Sequence, residues 1–214
     1  MTDSNDEKRR YQRNLIILFP FCVLIELLTV YAIGNVDVIP VWLQGIGGFF
    51  GALIGGPLFG GLVLVAFTII ELMVHFELIH VFIILPTIAA IISFGFVTRM
   101  GFFKNLKGVA LTVTAVAFVR TMTTTPVLIA VSGGHVSNND FAESLFVGIW
   151  HAGLSVPFAT MLSTLIAYFI DCGIIVMISY FVLRIFWNFW DRNFDVKVVE
   201  AIKIQVVEEK DLDE

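Results

Sequence analysis

Four ionisable residues, Glu26, Glu71, Arg120 and Asp171, stand inside long runs of Phe, Ile, Val and Leu. A charge at the centre of a bilayer costs at least about 2.5–3.5 kcal/mol on insertion scales, so such groups turn toward a helix bundle or a wetted cavity. Two chemistries follow. One is a buried ion pair, Arg120 with Glu26 or with Asp171, that locks helices together. The other is the floor of a solute cavity, and one residue can serve both. A second polar group gathers at one end of the predicted helices: His75, His80, His135 and His151 with Glu77, and the stretch AVSGGHVSNNDFAES (130–144) with Asn139, Asp140 and Glu143. Glu71 and His75 are one helical turn apart on one face. Imidazole and carboxylate are common metal ligands, but no HxH or HxxxH pair occurs, so solute contact is the expected role rather than metal binding. Trp42 and Trp150 fall at the same level, where an interfacial belt or stacking on a ring-shaped solute would use them.

The elements that must position these groups are membrane helices. The chain has 214 residues, 58% of them hydrophobic and 14% charged, and a mean hydropathy of +0.91; soluble domains carry roughly a quarter charged residues. Apolar length against the roughly 20 residues needed to span a bilayer, with breaks at Gly, Pro and charge clusters, predicts six helices near 14–34, 41–55, 58–75, 80–98, 108–131 and 162–190. The apolar part of 132–161 is expected to lie along the rim or re-enter. This is an all-α membrane protein, with a polar segment 1–13, a transmembrane domain 14–190 and an acidic tail 191–214. Of 13 Lys and Arg residues, all but Arg120 fall before the first helix, between the fourth and fifth, or around the end of the last. Cations of this kind are held on the cytoplasmic side, so both termini are expected in the cytoplasm. A net charge of −5 gives no reason to expect nucleic acid. Cys22 and Cys172 lie in apolar runs and read as packing residues.

In QGIGGFFGALIGGPLFGG, Gly47, Gly51 and Gly55 recur every four residues. Such a row leaves a helix face bare for another backbone, either within the bundle or on a separate membrane partner.

Three stretches resemble a known family when taken in order. IPVWLQGIGGFFGALIGGPLFGGLVLVAFTII (39–70), PVLIAVSGGHVSNND (126–140) and LSTLIAYFIDCGIIVMISYFVLRIF (162–186) are similar to the glycine-rich second and third helices, the outer loop after helix five and the final helix of the substrate-binding S components of energy-coupling factor (ECF) transporters. The chain carries Ser132 where that family often has Phe, and His135-Val136 where it often has Thr-Gly. The resemblance implies a six-helix protein of the bacterial plasma membrane that captures a vitamin-like solute from outside. A transmembrane coupling subunit and two ATPases would then drive uptake. No GxxxxGK[ST] phosphate loop is present, so ATP hydrolysis would fall to those partners, and the chain is expected to be neither an enzyme nor a cofactor carrier. The implied solute site comprises Trp42, Glu71, His75, Arg120, His135, Asn139, Asp140, His151 and Asp171, with Gly47, Gly51 and Gly55 for partner docking. A membrane sensor module, or a stand-alone transporter that could carry a metal ion, is the alternative. The topology is directly testable: cysteine placed at Asn35 or Asn138 should react with a membrane-impermeant reagent in intact cells. Cysteine at Asn105 should stay unlabelled, and its labelling would overturn the orientation.

Overall fold

A computed structural model describes residues 3–33, 43–75, 79–136 and 140–186. Among these residues there are seven α-helices, a single 3-10 turn at Phe102–Lys104 and no strand. The helices are α1 Asp3–Ile33, α2 Ile46–Gly55, α3 Pro57–His75, α4 Ile79–Arg99, α5 Leu106–Ser132, α6 Asp140–His151 and α7 Val156–Ile185. Among the described residues, four stretches are long and apolar enough to cross a membrane: Tyr11–Ala32, Pro57–Val74, Leu106–Ser132 and Val156–Ile185. The apolar helices Ile46–Gly55 and Ile84–Arg99 are shorter. Large apolar side chains such as Ile16, Leu58, Met73 and Ile185 stand exposed around the bundle, which suits lipid rather than water as the surrounding solvent.

Several helix limits differ from those expected. α1 begins at Asp3 because the Glu, Lys, Arg and Gln of the polar segment are good helix formers; polarity takes the chain out of the membrane without ending the helix. The stretch 132–161 resolves into α6 and the start of α7. Ser155 takes extended backbone at the N-cap of α7 and Pro157 sits in its first turn, where a missing amide hydrogen is harmless. The last helix ends at Ile185, and the expected tail 191–214 lies outside the described residues.

α2 is the inner element. It touches α1, α3, α4 and α7, and its residues Gly47, Gly48, Phe49, Gly51, Ala52, Leu53 and Ile54 are buried. A helix apolar on every side belongs in a core. The glycine row makes this approach possible, because a Cβ on Gly47 would collide with the Cys22 carbonyl oxygen of α1, and one on Gly51 would lie 3.3 Å from Phe59 and Val63 of α3. Gly55 faces Phe59 as well. Of the two roles open to the row, the structure shows packing within the bundle, with Gly47 against α1 and Gly51 and Gly55 against α3.

Ring contacts bring the cations together at one end. Phe103, fully buried, meets Phe94 of α4 and Tyr180 of α7, each at 5.6 Å between centroids. Phe19 of α1 meets Phe59, near the start of α3, at 5.8 Å. Arg9, Arg13, Arg99, Lys104, Lys107 and Arg184 therefore share an end, and α6 with the start of α7 forms the opposite one.

Glycine substitutions separate tight contacts from open ones. Gly60→Ala sets a Cβ against the Gly48 carbonyl and Ala52, whereas a Cβ at Gly173 meets only Val113, at 3.8 Å. Thermal unfolding in detergent should show Gly60→Ala destabilised by about 1–3 kcal/mol and Gly173→Ala stabilised by roughly 0.5–1 kcal/mol. Similar effects for both would contradict this packing.

Candidate functional site

α2 starts partway through the bundle. Its ten residues rise about 15 Å, roughly half the length of α3. The Gly55 carbonyl at its C-terminal end lies 3.5 Å from the Arg99 guanidinium at the cationic end. Its N-terminal end consequently opens near mid-depth, where the first amides of a helix have no partner of their own.

Two buried carboxylates supply partners. The Glu26 carboxylate, from α1, accepts from the Gly45 N–H through one oxygen and from the Gly47 N–H at 2.8 Å through the other. Asp171, from α7, accepts the Leu43 N–H at 2.9 Å on Oδ1. The chain reaches these acceptors by an irregular path, with φ of +48° at Leu43 and +101° at Gly45. Gly takes the left-handed region freely; at Leu43 it costs about 1–3 kcal/mol and persists only where the surroundings enforce it.

Arg120 of α5 completes the network. Its Nη1 donates to Asp171 Oδ2 at 2.6 Å, its Nη2 reaches Thr87 Oγ1 of α4 at 3.4 Å, and its guanidinium stands 4.3 Å from the centre of the Tyr168 ring. Arg120 is 1% exposed, Asp171 4% and Glu26 0%. The sequence left Arg120 a choice between Glu26 and Asp171. The structure pairs it with Asp171 and gives Glu26 to the α2 amides. Arg120 Nε is buried with no hydrogen-bond partner among the described residues. Chemically, the site is a near-balanced set of one guanidinium, two carboxylates and the positive end of a helix dipole, with one donor still unmatched.

A second polar group lies toward the opposite end. α5 closes at Gly133 with a left-handed cap, and the Gly134 N–H donates to the Leu128 carbonyl at 3.0 Å. Glu143 of α6 then holds the loop, taking the Val136 N–H at 2.6 Å on one oxygen and His135 Nδ1 at 2.7 Å on the other. Thr160 of α7 donates to the Gly134 carbonyl at 2.8 Å. Phe146 packs beneath the His135 ring at 4.9 Å and stacks on Trp150 at 6.1 Å. Leu128, Val136, Ala142, Phe146, Ala159 and Ala167 form a small separate core under this loop.

The nine predicted site residues are thus distributed unevenly. Arg120 and Asp171 are in direct contact. His135 lies on the loop with Glu143, Asp140 is exposed at the first residue of α6, and His151 is exposed at its last, its ring 5.4 Å from Trp150. Glu71 is half-buried on α3, and His75 is the last residue of that helix. Trp42 and Asn139 lie outside the described residues, as does the side chain of His75. Sequence reasoning did not select Thr87, Tyr168 or the Leu43 amide, and it placed Glu143 in the outer polar group without including it in the site. Tyr168 was within reach, since it precedes Asp171 by three residues and therefore shares its helix face; a backbone amide leaves no such signal. Among the described residues no group of three or more His, Cys, Asp or Glu side chains is placed to hold a metal ion. No family model, curated protein or solved structure matches the chain.

Because Asp171 serves Arg120 and Leu43 at once, its replacements should differ. Arg120→Met alone strands a buried carboxylate and should cost about 3–5 kcal/mol. Arg120→Met with Asp171→Asn, which keeps an acceptor for the Leu43 N–H, should recover more of that loss in thermal unfolding than Arg120→Met with Asp171→Leu. Equal recovery would mean that the Leu43 contact contributes nothing.

Proposed function

We propose that this protein is the solute-capturing component of an ECF-type uptake system in the bacterial plasma membrane, with six membrane crossings and both termini in the cytoplasm. The observation that carries the reading is the start of α2 near mid-depth, where Leu43 and Gly45 leave regular backbone beside Arg120, Asp171 and Glu26. Irregular backbone at membrane depth is tolerated where it is buried in protein or lines a cavity. Interrupted helices whose ends meet polar groups are how transport proteins build solute sites. The order of motifs in the chain supports the same family. The gathering of cations at one end supports the orientation, and the α4 span then counts among the six although its apolar part is short.

In this reading the loop 133–136, held by Glu143 and Thr160, covers the outer side of the site. Arg120 and Tyr168 lie below it at mid-depth, about 18 Å deeper by helical rise from Ser132. Solute reaches the interior when the loop and α6 part from α7. Uptake would be powered by a coupling subunit with two ATPases, docked on a surface other than the glycine row.

The test begins with purified protein screened for thermal stabilisation by vitamins, their precursors and divalent metals, since a ligand of the folded state raises stability by mass action. A small organic solute should stabilise. His135→Ala with Asp140→Ala should then weaken its affinity by roughly tenfold or more, about 1.4 kcal/mol, while unfolding of the ligand-free protein changes little. Wild-type affinity in that double variant would make the loop a structural cap, and stabilisation by a divalent metal alone would favour the metal-transporter alternative.

A further inference from the structure

We infer that the connection between α4 and α5 is a binding surface for the phosphate headgroups of anionic membrane lipids. This goes beyond the uptake reading and holds whatever solute the protein carries. The connection displays three cations, Arg99, Lys104 and Lys107, all exposed. Interleaved with them are Met100, Phe102 and Leu106, which are 73%, 41% and 58% exposed. From residue 78 to residue 139 the chain contains no Asp or Glu, and among the described residues no carboxylate pairs with any of the three cations.

The surface is preformed. Gly101 turns the chain with φ of +86°, and Phe103 is driven into the core between Phe94 and Tyr180. Its neighbour Phe102 is thereby left pointing outward. Asn105 fixes the next step by accepting the Gly108 N–H at 2.8 Å and capping α5. A loop pinned in this way loses little conformational freedom when something binds to it.

Charge and depth together select the occupant. The connection joins two apolar helices at the cationic end, so its place is the boundary between hydrocarbon and headgroups. Apolar side chains beside Lys and Arg at that boundary match acyl chain below and phosphate above. A soluble anion would use the cations and leave Met100, Phe102 and Leu106 in water; an anionic lipid uses both. Each cation close to an anionic membrane surface is worth about 1 kcal/mol, about a fivefold factor.

The experiment uses the full chain in detergent, mixed with equal amounts of phosphatidylglycerol and phosphatidylcholine of matched acyl chains, with retained lipid counted by native mass spectrometry. Wild type should retain phosphatidylglycerol preferentially. Lys104→Gln with Lys107→Gln, both surface changes that spare the core, should cut that preference by about tenfold or more. Met100→Ser with Phe102→Ser should lower retention while keeping the headgroup preference. No preference in the wild type, or an undiminished one in the lysine double variant, overturns the inference. So does glycerol phosphate competing as strongly as the lipid, which would mark a site for soluble phosphate. Loss of the preference on Arg9→Gln with Arg13→Gln, with the lysine variant unaffected, would place the lipid site on α1 instead. If the lysine variant keeps its lipid and loses assembly with other subunits, the surface is a protein interface.

Discussion

The fold turns on a carboxylate with two obligations. Asp171 gives one oxygen to Arg120 and the other to the amide of Leu43, so a single side chain on α7 joins α5 to the backbone that leads into α2. In lipid no water is at hand to satisfy a stray amide or guanidinium, and each unsatisfied group costs several kcal/mol. Glu26 does the same for Gly45 and Gly47. Without these two acceptors, a helix that starts partway through the bundle would expose its first amides to hydrocarbon.

A buried ion pair is weak evidence for stability, since desolvation offsets much of the attraction. Its value here is positional. The pair stands where α4, α5 and α7 meet α2, and it fixes the level at which α2 begins. The glycine row acts with it: α2 can sit in the middle of the bundle only because Gly47 lets the α1 backbone approach and Gly48 lets α3 approach at Gly60. Polar register and bare helix faces are two halves of one constraint, and strain at Leu43 is the cost of meeting both.

The two ends of the bundle follow different physics. At the cationic end, aromatic packing around Phe103 and the Asn105 cap hold a short, tight connection. At the other, a hydroxyl, a carbonyl and the Glu143 carboxylate hold residues 133–136 over a small core that includes Leu128, Val136 and Phe146. Regions with few buried apolar contacts open most readily. An uptake protein would place its solute entrance at this second end and its fixed anchorage at the first.

Much of this was legible in the sequence. Hydropathy and helix length announced a helical membrane protein, the positions of Lys and Arg predicted a cationic end, and the isolation of Arg120 in an apolar run offered an acidic partner as one of two roles. These properties depend on composition and on neighbours along the chain. What the sequence could not decide was which carboxylate Arg120 would take, because Asp171 lies 51 positions away in the chain and Glu26 was as good a candidate by charge. Nor could it show that Leu43 would lean on Asp171 across 128 positions, that His135 would pair with Glu143, or that the bare face of α2 would turn inward. Helix limits failed where polar residues continued a helix, in α1, and where an apolar run hid a break, between α6 and α7. Propensity and hydropathy are local sums, whereas partner choice and helix rotation are set by distances between distant segments, which come into existence only when the bundle closes.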